Sequence, residues 1–156
     1  MFLDHRQGFI PASTETFGNS SINGLFIKFH FYRLFRFRNS DILFFNHFGF
    51  EKNCAIAKSE EAFLKDLFQK GVKIIAITEG KKGCRVITQE KEFYENAYDI
   101  PVVDPSGAGD TFNGAFLHGL MRNWSIERCA KFATAAANYC VATYGPRSGA
   151  ISEKEV

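Results

Sequence analysis

Residues 104–116 read Asp-Pro-Ser-Gly-Ala-Gly-Asp-Thr-Phe-Asn-Gly-Ala-Phe, the stretch that most limits what this chain can become. The run is predicted to end a strand, turn on Gly107 and Gly109, and open a helix with Asp110 in its first turn. The first N–H groups of a helix lack intrahelical partners and lie at the positive end of its dipole. Gly107, Ala108 and Gly109 are therefore placed to donate to a phosphoryl oxygen. A carboxylate at Asp110 repels phosphate, yet it can take a proton from a hydroxyl that attacks one. The spacing points to phosphoryl transfer to an alcohol. Read alone, Gly-x-Gly-Asp also fits an ordinary tight turn whose acid complements the helix dipole.

A chain of 156 residues, 46% hydrophobic and 23% charged, has room for one domain with a real core and is crowded for two. The net charge of +2 gives no argument for nucleic acid. Its distribution is uneven, because residues 1–40 set Arg6, Lys28, Arg33, Arg36 and Arg38 against only Asp4 and Glu15. Cys54, Cys84, Cys129 and Cys140 have neither Cys-x-x-Cys spacing nor the density of a disulfide scaffold, which argues against zinc and against a secreted framework. No uninterrupted apolar stretch reaches membrane-spanning length, and the first residues lack the layout of a secretion signal. A cytoplasmic protein with neither nucleic acid nor membrane as partner is expected.

From residue 39 onward the pattern alternates strands and helices. Residues 41–46 are a short apolar run suited to a buried parallel strand. Residues 59–70 combine Ser59 as N-cap, Glu60 and Glu61 in the first turn, Phe63, Leu64, Leu67 and Phe68 at helical spacing, and Gly71 as a stop. Residues 72–78 read as a central strand covered on both faces. Residues 79–83 turn into a strand over 84–88, with a hairpin partner around 93–98. The helix that Gly109 opens carries Phe112, Ala115, Phe116, Gly119 and Leu120 inward and is expected to end near Asn123. A second helix over 125–143 gathers Ile126, Cys129, Ala130, Ala133, Ala137 and Cys140 on one face. Together these give a layered α/β domain.

Residues 1–38 stand outside that alternation, with eight of the eighteen phenylalanines and basic residues interleaved among aromatics over 25–38. Such a composition can serve a nucleic-acid or membrane surface. An irregular segment with one strand around residues 26–32 is the stronger expectation.

The run Asp104-Pro105-Ser106-Gly107-Ala108-Gly109-Asp110-Thr111-Phe112-Asn113-Gly114-Ala115 resembles the signature Asp-Thr-Thr-Gly-Ala-Gly-Asp-Thr-Phe-x-Gly-Ala of the ribokinase-like (PfkB-type) carbohydrate kinases. The resemblance begins near Asn39 and implies the C-terminal part of a ribokinase-like three-layer α/β/α fold, with a mostly parallel sheet and a β-hairpin. It divides the chain into an unassigned segment, 1–38, and an incomplete ATP-binding and catalytic portion, 39–156. By the same resemblance Asp110 is the catalytic base and Gly107, Ala108 and Gly109 form the anion hole. Residues 41–46 resemble the family's strand ending in Pro-Asn-x-x-Glu, which carries Asn46 into the nucleotide and metal environment. The glutamate has no counterpart, since Gly49 stands three residues on and Glu51 lies only nearby.

Residues 77–83 look like the family's Thr-x-Gly-x-x-Gly turn along the ATP phosphates and ribose, which points to Thr78 and Gly80. Thr134 falls at the helix position that faces the adenine, a stretch that equally reads as close helix packing. Gly145 begins a loop near the nucleotide, and Asp104 and Ser106 occupy the other half of what is a monovalent-cation site in many members. The implied ligands are ATP, Mg2+ held mostly through water and phosphate, K+, and a sugar or nucleoside. The family's sugar-binding half is not recognisable, so a fragment that self-associates and is inactive alone is expected. The rival expectation is a non-catalytic remnant acting as a binding or interaction module.

Overall fold

The computed structural model describes residues 20–22, 25–29, 40–145 and 156. Its centre is a pair of strands with apolar residues at consecutive positions. Along β3 (Ile42–Asn46) and β4 (Ile74–Thr78), Ile42, Phe44, Ile74 and Ala76 face one side, while Leu43, Phe45, Ile75 and Ile77 face the other. Side chains alternate across a strand, so an unbroken apolar run demands cover on both faces. Helices α1 (His47–Ile56) and α2 (Glu60–Gln69) bring Phe50, Phe63 and Leu67 to one face. Helices α3 (Ala108–Met121) and α4 (Ile126–Val141) bring Phe112, Phe116, Cys129, Ala130 and Ala133 to the other. The three layers are locked by edge-on rings: Phe44 meets Phe116 at a centroid distance of 5.7 Å, and Phe45 meets Phe50 at 5.8 Å and Phe63 at 5.9 Å.

Among the described residues six strands lie in chain order: β1 (Ser20–Ile22), β2 (Leu25–Phe29), β3, β4, β5 (Cys84–Ile87) and β6 (Glu92–Glu95). β2, β3 and β4 are parallel, with Ile27 opposite Ile42 and Asn46 opposite Thr78. The β1–β2, β4–β5 and β5–β6 pairings are antiparallel, so the sheet is mixed, with less parallel pairing than expected. Connection length explains the difference. The β3–β4 link contains two helices, long enough to return the chain in the same direction, whereas short turns around β5 permit only reversal. The strand expected around residues 26–32 overlaps β2 over residues 26–29, with 30–32 outside the described residues, and β1 and β2 extend the same sheet. The rest of residues 1–38 lies outside the described residues.

Local chemistry sets the helix boundaries. Ser59 caps α2 through a bond from the Ala62 N–H at 3.0 Å, as expected, and Ser125 caps α4 through the Arg128 N–H at 3.3 Å. Helix α1 was not expected, for its sequence lacks a clear apolar stripe. Asn46 starts it by accepting from the Gly49 N–H at 2.7 Å. The strand expected before residue 104 does not form. Instead the Val103 and Asp104 N–H groups both donate to the Val141 carbonyl, at 2.7 and 3.2 Å, so this segment is tied to the end of α4 rather than to the sheet. On β5, Arg85 pairs with Glu60 of α2 and, at 2.7 Å, with Glu92 of β6, fastening the hairpin to the helical layer.

Gly83 enters β5 at φ +100°, and a Cβ there would lie 1.9 Å from the Glu95 carbonyl oxygen and 2.6 Å from the Ala97 nitrogen. Both the backbone angle and the close approach of the hairpin require glycine. Gly83→Ala is expected to lower stability by about 3 kcal/mol in urea titrations. An unchanged unfolding midpoint would show that the hairpin does not press on this position.

Candidate functional site

Because β3 and β4 are parallel, Asn46 and Thr78 end them side by side. In open α/β sheets the carboxyl ends of such strands form the crevice where ligands bind. Two contacts bring the start of α3 to that same end. Lys91, beyond the far end of β5, pairs with Glu127 in the first turn of α4, and Thr134, further along the helix, meets Cys84 at the start of β5, opposite Thr78. Helix α4 thus runs in the direction of β4 and carries its C-terminus past the strand ends. There Val141 accepts from Val103 and Asp104, and α3 begins just beyond.

Gly107 makes the turn into α3 at φ +82°, a conformation that favours glycine. Side chains of Asn46, Ser59 and Ser125 cap α1, α2 and α4, but among the described residues no side chain caps α3. The Ala108 N–H donates to the Pro105 carbonyl at 3.4 Å and the Thr111 N–H to the Gly107 carbonyl at 2.9 Å. Between them, the Gly109 and Asp110 N–H groups make no backbone hydrogen bond among the described residues. Gly109 has no positive φ, and a Cβ placed on it would meet nothing within 4 Å. Neither backbone angle nor packing asks for glycine there, although glycine in a helix costs about 0.5–1 kcal/mol relative to alanine. Asp110 is exposed beside it, and one turn further on the same face Gly114 is also exposed, with open space around it. The helix entrance therefore offers free donors, room for close approach and a carboxylate.

Asp104 braces this entrance. Its Oδ1 accepts from the Ser106 N–H at 2.9 Å and its Oδ2 from the Gly145 N–H at 3.0 Å. The Cys140 thiol donates to the Ser106 carbonyl at 3.6 Å. Residues 104–107 are thereby held against the C-terminal end of α4. These contacts bring together Asp104, Ser106 and Gly145, the three residues expected near a monovalent cation. The Asp104 oxygens, however, face N–H donors, and among the described residues no group of three or more His, Cys, Asp or Glu could hold a metal ion. The remainder of that loop, residues 146–149, lies outside the described residues.

The other expected site residues divide by orientation. The Asn46 side chain is engaged as the cap of α1, and a Cβ on Gly49 would lie 3.0 Å from its Oδ1, so glycine there keeps the cap tight. Thr78 donates from Oγ1 to the Phe45 carbonyl at 3.4 Å, tying together the two strand ends. Gly80 is exposed at the start of the turn Gly80–Lys82, with open space about it. Thr134 points inward: it is 3% exposed and shares a 3.5 Å hydrogen bond with Cys84. Its hydroxyl therefore faces the protein interior. Burial is also the main reason the Cys84 thiol is pushed up from its usual range.

Two participants escaped the sequence reading. Cys140 reads from its helical spacing only as a packing residue, and His47, which contacts Glu51 and Glu79, belongs to no sequence motif. The available signal for His47 was its place directly after Asn46 at a strand end.

The Ser106 N–H first, then the Ser106 hydroxyl and the Gly145 N–H, hold the Asp104 carboxyl below its ordinary range. A carboxylate depressed on folding contributes stability that is present above the ordinary aspartate value of 3.8 and lost as the pH falls through its lower native value. Amide hydrogen exchange at Gly145 is therefore expected to accelerate as the pH drops below that range, after correction for intrinsic rates, and to be fast at neutral pH in Asp104→Ala. Equal protection in the variant would remove Asp104 as the brace.

A family model described as pfkB family carbohydrate kinase matches residues 33–153. An uncharacterised sugar kinase of Archaeoglobus fulgidus is 35% identical over 79 residues, covering 51% of this chain and 32% of that protein. The ribokinase of Bacillus subtilis is 40% identical over 80 residues, covering 51% of this chain and 27% of the ribokinase. The crystal structure of ribokinase from Thermotoga maritima is similar at a TM-score of 0.69 and 27% identity, over 76% of this chain and 41% of that one. Arabidopsis thaliana ribokinase, solved with ribose and ATP, is similar at 0.67 and 28% identity, over 76% of this chain and 40% of its own. The chain thus spans well under half the length of the relatives it matches. With the family model extending over most of its residues, the chain belongs to the pfkB family of carbohydrate kinases.

Proposed function

We propose that the N-terminus of α3 and Asp110 form the phosphoryl-transfer centre of an ATP-dependent kinase acting on a hydroxyl of a sugar or nucleoside. The observation that carries this reading is Gly109, a glycine that the fold does not require, standing in open space between free N–H donors and an exposed carboxylate. In this reading the Gly109 and Asp110 N–H groups donate to oxygens of the transferring phosphoryl group and stabilise the charge it carries in the transition state. Asp110 accepts the proton of the acceptor hydroxyl while that oxygen bonds to phosphorus and ADP departs.

The turn beginning at Gly80 and the strand ends at Asn46 and Thr78 flank the rest of the nucleotide. Thr134 backs the wall from the interior. When bound, Mg2+ would supply charge neutralisation at the phosphates, held mainly through phosphate and water. The acceptor class follows the relatives, which include ribokinases and a nucleoside kinase of Methanothermobacter thermautotrophicus.

Mg-ATP at one hundred times its Kd is expected to stabilise the chain by about 2.7 kcal/mol in thermal denaturation. Asp110→Asn should keep that protection and lower turnover, across a panel of sugars and nucleosides, by about 10²–10⁴-fold. Gly109→Val should instead lose protection, because its side chain fills the approach to the donors. Undiminished turnover in the first variant would discard Asp110 as base. Undiminished protection in the second would place the phosphates elsewhere.

A further inference from the structure

Helix α3 turns Phe112, Phe116 and Gly119 into the core, so its opposite face runs through Asp110, Gly114 and Met121, with Asn113 at the flank. Gly114 and Met121 are exposed and Asn113 is half-buried. The two glycines of this helix interior differ in their surroundings. A Cβ on Gly119 would lie 2.7 Å from the Cys129 Sγ, so close packing of α3 on α4 requires glycine there. A Cβ on Gly114 would meet nothing within 4 Å, and its φ is not positive. Glycine is among the poorest residues for a helix interior, yet neither backbone angle nor packing accounts for Gly114. Asn113 is a second weak helix former, and its side-chain amide makes no hydrogen bond among the described residues. Both positions stand three and four residues on from Asp110, where side chains are neighbours on a helix surface.

We propose that Asn113 and Gly114 bind the acceptor and select its class: Gly114 leaves room for a sugar ring to lie against the helix, and the Asn113 amide recognises a second hydroxyl on it. The proposal rests on the phosphoryl-transfer reading of Asp110 given above. An acceptor with its reacting hydroxyl at Asp110 lies over the next turn of α3, because the other side of Asp110 is taken by the transferring phosphoryl group. Any side chain at position 114 would stand in that space. A primary amide donates through nitrogen and accepts through oxygen, so it matches a hydroxyl, which does both. One helical turn rises about 5.4 Å, close to the span between hydroxyls across a sugar ring. The arrangement therefore favours a polyhydroxylated ring, with a free hydroxyl across from the one that reacts, over a simple alcohol. A packing role for Gly114 would need a neighbouring backbone close by, and none lies within 4 Å among the described residues.

The test is NMR titration of the full 156-residue chain, saturated with Mg-ADP, with ribose, fructose and inosine in turn. At least one of the three is expected to shift the side-chain amide signals of Asn113 together with the Gly114 N–H, in a saturable manner. Asn113→Ala should weaken binding of that acceptor roughly three- to tenfold, the worth of one hydrogen bond. Gly114→Leu should abolish the acceptor's shifts at Asn113 while raising the midpoint of thermal unfolding, since leucine is the better helix former. Loss of function with a gain in stability separates a ligand-binding glycine from a structural one. Acceptor binding that survives Gly114→Leu, or a lowered midpoint in that variant, would overturn the proposal. So would a wild type in which none of the three acceptors moves Asn113 while Mg-ATP moves Gly109 and Asp110, a result that leaves the phosphate site in place. Mg-ATP moving neither of those amides would overturn the phosphoryl-transfer reading, and this inference with it.

Discussion

Parallel pairing of Ile42–Asn46 with Ile74–Thr78 obliges two strands to finish at one edge of the sheet, and the rest of the molecule is arranged around that edge. Ile42, Leu43, Ile75 and Ile77 are buried to 0–1% exposure, each contributing on the order of 1.5–3 kcal/mol. Burial on both faces recruits a helical layer to each side. One layer comes from the crossover between the two strands. The other comes from α3 and α4, whose direction is set by contacts to the β5–β6 hairpin, so that α4 ends and α3 begins at the same edge as Asn46 and Thr78.

At that edge the chain accepts local weakness. Among the described residues, α1, α2 and α4 receive a side-chain cap and α3 receives none. Its entrance contains Gly109, a weak residue inside a helix, and presents an exposed acid. Such local weakness is tolerated because the turn is secured from outside, by Asp104 reaching both Ser106 and Gly145, by Cys140 bonding to the Ser106 carbonyl, and by Val141 accepting two N–H groups. Asp104 and Asp110 are six residues apart and do opposite work. The first spends its oxygens on backbone donors, and the second is left facing solvent.

Features governed by neighbouring residues were legible in the sequence. The caps and apolar spacing of 59–70, the unbroken apolar strand at 74–78 and the helix entrance at 107–110 all follow from patterns a few residues long. Helix α1 was not legible, because His47–Ile56 has no sustained apolar stripe and begins on an asparagine whose capping role only its backbone partner reveals. The segment before Asp104 looked like a strand from its apolar residues, but Val103 exchanges no sheet bonds and is drawn to Val141 instead. Thr134 could be placed on α4 but not oriented, since its burial depends on Cys84 fifty residues away. The same holds for His47 and Glu79. Contacts across the sheet edge are set by strand register, and register is a property of the assembled fold.

The central claim is that the free N–H groups at the start of α3 receive phosphate. Backbone amide shifts measured by NMR during titration of the chain with Mg-ATP test it most directly. The amides of Gly109 and Asp110 are expected to move furthest, with that of Gly80 moving at the same ligand concentrations. Saturable shifts confined to other parts of the chain, with Gly109 and Asp110 unmoved, would contradict the assignment of this helix entrance as the phosphate site.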